Sequence, residues 1–146
     1  MFVRDIIDLA RQHLVTEIET TKLIEVAGLL TSGSGIVLVT DAEGVLQGVV
    51  TKTDIVRQIS VCEGATCLCP VATAMTRDVA VCNSEDTLKD VSRVMKERHL
   101  KSIPVVDKNN TPIGVLTASA VLRTLLGDVE FEEAQLINYV KGVGYR

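Results

Sequence analysis

Gly48-Val49-Val50-Thr51-Lys52-Thr53-Asp54 and Gly114-Val115-Leu116-Thr117-Ala118-Ser119-Ala120 are one phrase written twice in a chain of 146 residues. Each copy follows a β-rich run and opens a helical one, so the two mark a single supersecondary unit used twice. The copies stand 66 residues apart at Asp41 and Asp107, at Gly48 and Gly114, and at Thr51 and Thr117. Ahead of the first hairpin the spacing is 65, from Leu23 to Leu88 and from Leu30 to Met95, so the first copy has lost one residue near Ser32–Gly35. The shared Gly and Thr point to a common scaffold. The unshared acid, Asp54 against Ala120, points to a difference in task.

Outward from the first phrase, residues 36–40 form an apolar strand, 41–44 a turn and 45–50 the returning strand of a hairpin, with Thr51 capping a helix to about Ile59. Upstream, Leu23, Val26, Ala27 and Leu30 form the buried stripe of a helix capped by Thr20 or Thr21, preceded by an extended piece over 14–16. Val3, Ile6, Ile7, Ala10 and Leu14 predict an amphipathic N-terminal helix. The second unit repeats the order: 79–81 extended, Ser84 before a helix with Leu88, Val91, Val94 and Met95 inside, strands over 102–106 and 113–116, and a helix over 118–126. Residues 129–141 predict a further helix with an acidic first turn. The expected class is α/β (α+β): two β-α-β-β-α repeats plus N- and C-terminal helices. The expected boundaries are 1–60 for the first repeat with its N-terminal helix, 61–70 for a linker, 71–127 for the second repeat and 128–146 for the C-terminal helix.

The totals narrow the function classes. A chain of this length buries about 68–70% of its unfolded surface, so no staple is needed. With 47% hydrophobic but only 3% aromatic residues, the core is expected to be Val, Ile, Leu and Ala. A net charge of −4 and few rings argue against a nucleic-acid partner. No apolar run approaches the roughly 18–20 residues that span a bilayer. Arg4, Asp5 and Asp8 interrupt the N-terminus, so it does not read as an export signal, and the four cysteines are expected to be reduced thiols of a cytoplasmic protein.

Tandem β-α-β-β-α units, each ending in the Gly-apolar-apolar-Thr phrase, resemble the cystathionine-β-synthase (CBS) domain pair. Met75-Thr76-Arg77-Asp78-Val79 is similar to that family's lead-in to a second repeat, and Lys101-Ser102-Ile103-Pro104-Val105-Val106-Asp107 to its basic-x-apolar-Pro-Val strand. The resemblance runs from about residue 2 to 127, and the appended C-terminal helix is similar to that of small bacterial CBS-pair proteins. It implies repeats related by a pseudo-twofold axis, a nucleotide cleft on each side, a homodimer and an unidentified effector protein. It also implies a regulatory ligand of the adenine-nucleotide class: AMP, ATP or NAD(H). No cofactor is required by this reading.

The residues of the first phrase suit such a ligand. Thr51-Lys52-Thr53-Asp54 places free N–H groups and a dipole's positive end where a phosphate can sit. Asp54 offers two oxygens to the vicinal hydroxyls of a ribose. The same Thr-x-x-Asp spacing also fits a capping box, in which the acid serves the helix instead. The second copy keeps Thr117 and drops the acid at Ala120, which turns the reading toward a ligand role for Asp54. By the resemblance, the Asp54 cleft takes its base pocket from Val79, Ala80, Ile103 and Pro104, with Lys101, Ser102 and Arg77 toward the phosphates. The opposite cleft combines Thr16, Ile36, Thr117 and Ala120, and is expected to be empty or weakly filled.

Cys62, Cys67 and Cys69 support an alternative, a thiol- or metal-responsive scaffold drawing on Cys82, His13 or His99, although C-x4-C-x-C matches no common zinc spacing. His99 is read as closing a helix C-terminus, with a phosphate contact as the alternative. No nucleophile–base pair, P-loop or paired catalytic carboxylate is visible, so the chain reads as a binding protein and not an enzyme, with no metal site.

Overall fold

The computed structural model describes residues 1–31, 35–61 and 69–127. The expected helix over 129–141 and most of the expected linker, Cys62 and Cys67 included, lie outside the described residues. The first unit runs β1 (Thr16–Ile18), α2 (Leu23–Thr31), β2 (Val37–Thr40), β3 (Leu46–Val50) and α3 (Lys52–Val61), preceded by α1 (Ile7–Gln12). The second contains α4 (Leu88–Glu97), β4 (Ser102–Val106), β5 (Pro112–Thr117) and α5 (Ala118–Leu126). The chain is thus a mixed α and β fold with five helices and two small sheets among the described residues.

Equivalent local chemistry builds the two hairpins. Asp41 Oδ1 accepts from the N–H groups of Glu43 and Val45, and Asp107 Oδ1 from those of Asn109 and Thr111. Gly44 (φ 88°) and Asn110 (φ 62°) take the left-handed position in each turn, a conformation these residue types tolerate. In one sheet β1 runs parallel to β2 and β2 antiparallel to β3; in the other β4 and β5 pair antiparallel. The run over 79–81, expected to be extended, forms no strand, and the residue after it, Cys82, makes a single parallel bridge to Val105.

At the expected α2 cap, the Thr21 hydroxyl instead donates to Glu17, and the N–H groups of Glu25 and Val26 reach the Lys22 carbonyl. Thr117 Oγ1 accepts from the Ala120 N–H and starts α5. Thr87 caps α4 by accepting from the Asp90 N–H, with Asn83 and Asp86 folding the residues around Ser84 into a turn of their own before it. At its other end α4 closes with the Leu100 N–H on the Met95 carbonyl and the His99 N–H on that of Lys96, His99 standing at φ 55°. That is a Schellman closure, with Leu100 packed on the same core as Met95.

The two repeats complete one another. Val3, Ile6 and Ala10 of the N-terminal segment pack with Leu88, Val91, Met95, Ile103, Val105, Leu116 and Val121 of the second unit. In return, Val71, Ala74 and Met75 pack with Leu23, Val26, Leu30, Val37, Val39 and Val50 of the first. Antiparallel bridges Phe2–Thr87 and Lys22–Pro70 stitch the crossing segments down. A third cluster of Leu38, Leu46, Val106 and Val115 joins the two sheets. The N-terminal segment is a 3-10 turn over Val3–Ile6 followed by the short α1, and its buried stripe serves the second unit's core.

This crossing explains the glycine of the repeated phrase. A Cβ at Gly48 would lie 2.6 Å from the Thr76 carbonyl oxygen, and one at Gly114 2.7 Å from Ala10 Cβ. Each glycine is the place where the other segment's backbone passes against the sheet.

Candidate functional site

A cleft of about 600 Å³ opens beside the N-terminus of α3. The antiparallel register ends with Val37 opposite Val50, so Ile36 stands next to Thr51 at the mouth of the first hairpin. From the second unit come Asp78, Val79 and Ala80 on one wall, and the run from Arg98 to Ser102 with Pro104 on the other. The Asp54 side is therefore contributed by one repeat and most of the facing wall by the other.

Thr51, Asp54, Val79, Ala80, Lys101, Ser102 and Pro104, all named from the sequence, line this cleft. Ile103 does not. Strand alternation turns its side chain, 1% exposed, into the second unit's core while Ser102 and Pro104 face the opening. Arg77 alternates away in the same manner, to a hollow of about 120 Å³ shared with Gln47 and Asn110. Ile36, expected in the opposite cleft, lines the Asp54 cleft. Thr16 is exposed in β1 opposite Leu38, and Thr117 caps α5.

Asp54 is 5% exposed, and both of its oxygens are engaged. Oδ2 accepts from the Thr51 N–H at 2.8 Å and from the Thr51 hydroxyl at 3.1 Å. Oδ1 accepts from the Thr76 hydroxyl at 2.7 Å and from Arg57 Nη1 at 3.2 Å. The bond to the Thr51 N–H is the returning arm of a capping box, so the acid does serve the helix. The expected pair of open carboxylate oxygens is thus closed in this state.

The rim is cationic. Lys52, Arg57, Arg98 and Lys101 face Asp54 and Asp78, with His99 beside them. Arg57 is engaged with Asp54, and Arg98 approaches Asp78 at 3.5 Å. Lys52 and Lys101 are exposed and stand over the cleft. Val49, Ile36, Val79, Ala80 and Pro104 supply an apolar floor. Positive groups at a helix N-terminus suit an anion, and an apolar slot a flat ring. Sequence reading missed Arg57, Thr76, Asp78 and Arg98. Arg57 was discoverable from its i+3 spacing to Asp54, while Thr76 reaches Asp54 only through the fold.

The cysteine alternative gains nothing from the described residues. Among them, no group of three or more His, Cys, Asp or Glu side chains is placed to hold a metal ion. Cys82 is buried, its thiol pushed up by desolvation and by the charge of Asp86, and so is a poor nucleophile. Nor is any helix among the described residues long and apolar enough to cross a membrane.

Two α/β repeats that close each other's cores around an inter-repeat cleft define a tandem-repeat module. The chain belongs to the CBS-domain family, whose model matches residues 3–61 and 71–127. A CBS-domain-containing protein of Agrobacterium tumefaciens has the same fold, with a TM-score of 0.71 at 28% identity over 85% of this chain and 98% of that one. CBSX2, solved in complex with AMP, gives 0.73 at 28% identity over 86% of this chain and 96% of that one. The transcriptional repressor CcpN of Bacillus subtilis is 30% identical over 103 residues, covering 67% of this chain. The chain spans 14 to 48% of the length of the curated relatives it matches.

Proposed function

We propose that the Asp54 cleft binds an adenine nucleotide and that the chain is a regulatory module, not an enzyme, acting in the cytoplasm on a partner protein or through its own homodimer. The observation that carries this reading is the conjunction at one cleft of a buried carboxylate at a helix N-terminus, exposed lysines and an apolar floor drawn from both repeats. CBSX2, alike over most of its length, was solved with AMP, which favours AMP as the first ligand to test. In this reading Lys52, Lys101 and the α3 N-terminus meet the phosphate, Asp54 meets the ribose, and the base lies against Val79, Ala80, Ile36 and Pro104. A ligand that touches both repeats shifts their arrangement by no more than its difference in affinity for the two states.

Thermal-shift and calorimetric titration with AMP, ATP and NAD(H) test this directly. AMP at a hundred times its Kd adds about 2.7 kcal/mol of stability. The ligand-induced shift is the quantity to compare across variants, since Asp54 also caps α3 and its replacement lowers the unliganded melting temperature. Asp54→Ala and Asp54→Asn are expected to lose most of the shift. Equal shifts in wild type and both variants, or none with any adenine nucleotide, would refute the reading.

A further inference from the structure

The Asp54 carboxylate has room for about four hydrogen-bond donors on its two oxygens, and four donors already occupy it. A ribose hydroxyl therefore reaches this acid only by exchange. The four donors differ in how readily they leave. The Thr51 N–H is main chain at the start of α3 and stays. The Thr51 hydroxyl sits on the same capping residue and shares Oδ2 with it. On Oδ1, the Arg57 guanidinium, 65% exposed, is held by opposite charge as well as by its hydrogen bond. The Thr76 hydroxyl is the shortest of the four contacts, at 2.7 Å, and comes from the far side of the linker.

Thr76 itself is anchored. Its N–H donates to the Val49 carbonyl at 2.8 Å, and its carbonyl accepts from the Val49 N–H at 3.0 Å. The hydroxyl can thus rotate off Oδ1 without any movement of its backbone. Resting on the nucleotide reading above, we propose that Thr76 sets the affinity and sugar selectivity of the cleft: its hydroxyl holds the Asp54 oxygen that a ribose hydroxyl needs, and binding swaps one for the other. The sugar's hydrogen bond is then gained against the loss of one already made, so wild type binds ribonucleotides more weakly than the bare acid would.

Removing the competitor reverses this. Thr76→Val keeps the shape and leaves Oδ1 one donor short until ligand arrives, so AMP is expected to bind about three- to tenfold tighter. Thr76→Ser keeps the hydroxyl and is expected to match wild type. The preference for AMP over 2′-deoxy-AMP or 3′-deoxy-AMP widens in Thr76→Val for whichever sugar hydroxyl reaches Oδ1. Calorimetric titration of the full chain with these three nucleotides, for wild type, both Thr76 variants and Asp54→Asn, reads every arm. Should Thr76→Val bind AMP equally or more weakly while Asp54→Asn abolishes binding, this proposal falls and the nucleotide reading stands. Should AMP bind neither wild type nor Thr76→Val, both fall. If Thr76→Val does not fold, Thr76→Ala carries the same expectation.

Discussion

Burial pushes the Cys82 thiol up to about 12 from its usual 9.0, first by desolvation and then through the negative charge of Asp86. The folded chain therefore keeps this proton at a pH where the unfolded chain has released it. Stability from Cys82 is fully present below about pH 9 and declines as pH rises toward 12. Urea unfolding from pH 8 to 10.5 is expected to show a steeper loss in wild type than in Cys82→Val, the difference removing the contribution of lysines and tyrosines common to both. Iodoacetamide is expected to leave Cys82 unmodified until the chain unfolds. Parallel pH profiles for the two proteins would contradict this. The surroundings of Asp54 differ: that acid is as deeply buried, but two hydroxyls, an N–H and a guanidinium donate to it, whereas the Cys82 thiol meets the Pro104 carbonyl. The Asp54 partner set was legible from the sequence only in part. Thr51 and Arg57 lie within helical reach of Asp54, but nothing local announces Thr76.

The elements read most clearly were those with strong local signals. The strand over Ser102–Val106 and the helix over Ala118–Leu126 have the expected ends, because apolar continuity fixes the one and the Thr117 cap the other. Ser84 and Thr87 both precede α4 and are both competent cap residues, and the Asn83–Asp86 turn leaves Thr87 to cap it. The repeat also predicts something of the helix faces left outside. Val56 and Ile59 on α3 are exposed, and their counterparts 66 residues on, Leu122 and Leu125 on α5, are exposed as well. Together these exposed apolar residues form surface that an isologous pairing of two chains can cover. In the proposed homodimer these faces are covered. Sedimentation of Val56→Glu/Leu122→Glu is expected to show a monomer where wild type shows a dimer, with unchanged far-ultraviolet dichroism. A monomeric wild type, or a variant that sediments as wild type does, would remove α3 and α5 from the interface.

For the molecule as a whole, the consequence of the crossing segments is cooperativity. A sequence pattern shows that the stripe of Val3, Ile6 and Ala10 must be buried, but not on which sheet, since that choice depends on contacts more than 80 residues away in the chain. The phrase that revealed the repeat also marks where the exchange occurs. Gly114 receives Ala10 of the N-terminal segment, and Gly48 receives Met75 and Thr76 of the segment leading into the second unit. A methyl group at either position meets main-chain or Cβ atoms closer than 3 Å, and backbone there must shift. Overpacking of this kind costs about 1–3 kcal/mol. Gly114→Ala strains the closure of the second unit's core and Gly48→Ala that of the first. Because each core borrows residues from the other's half of the chain, neither unit melts alone. Both variants are therefore expected to lower one shared transition in scanning calorimetry, with calorimetric and van't Hoff enthalpies still equal. Two separated transitions, with Gly48→Ala moving only one and Gly114→Ala only the other, would show instead that the repeats unfold independently and that the exchanged segments contribute little to holding them together.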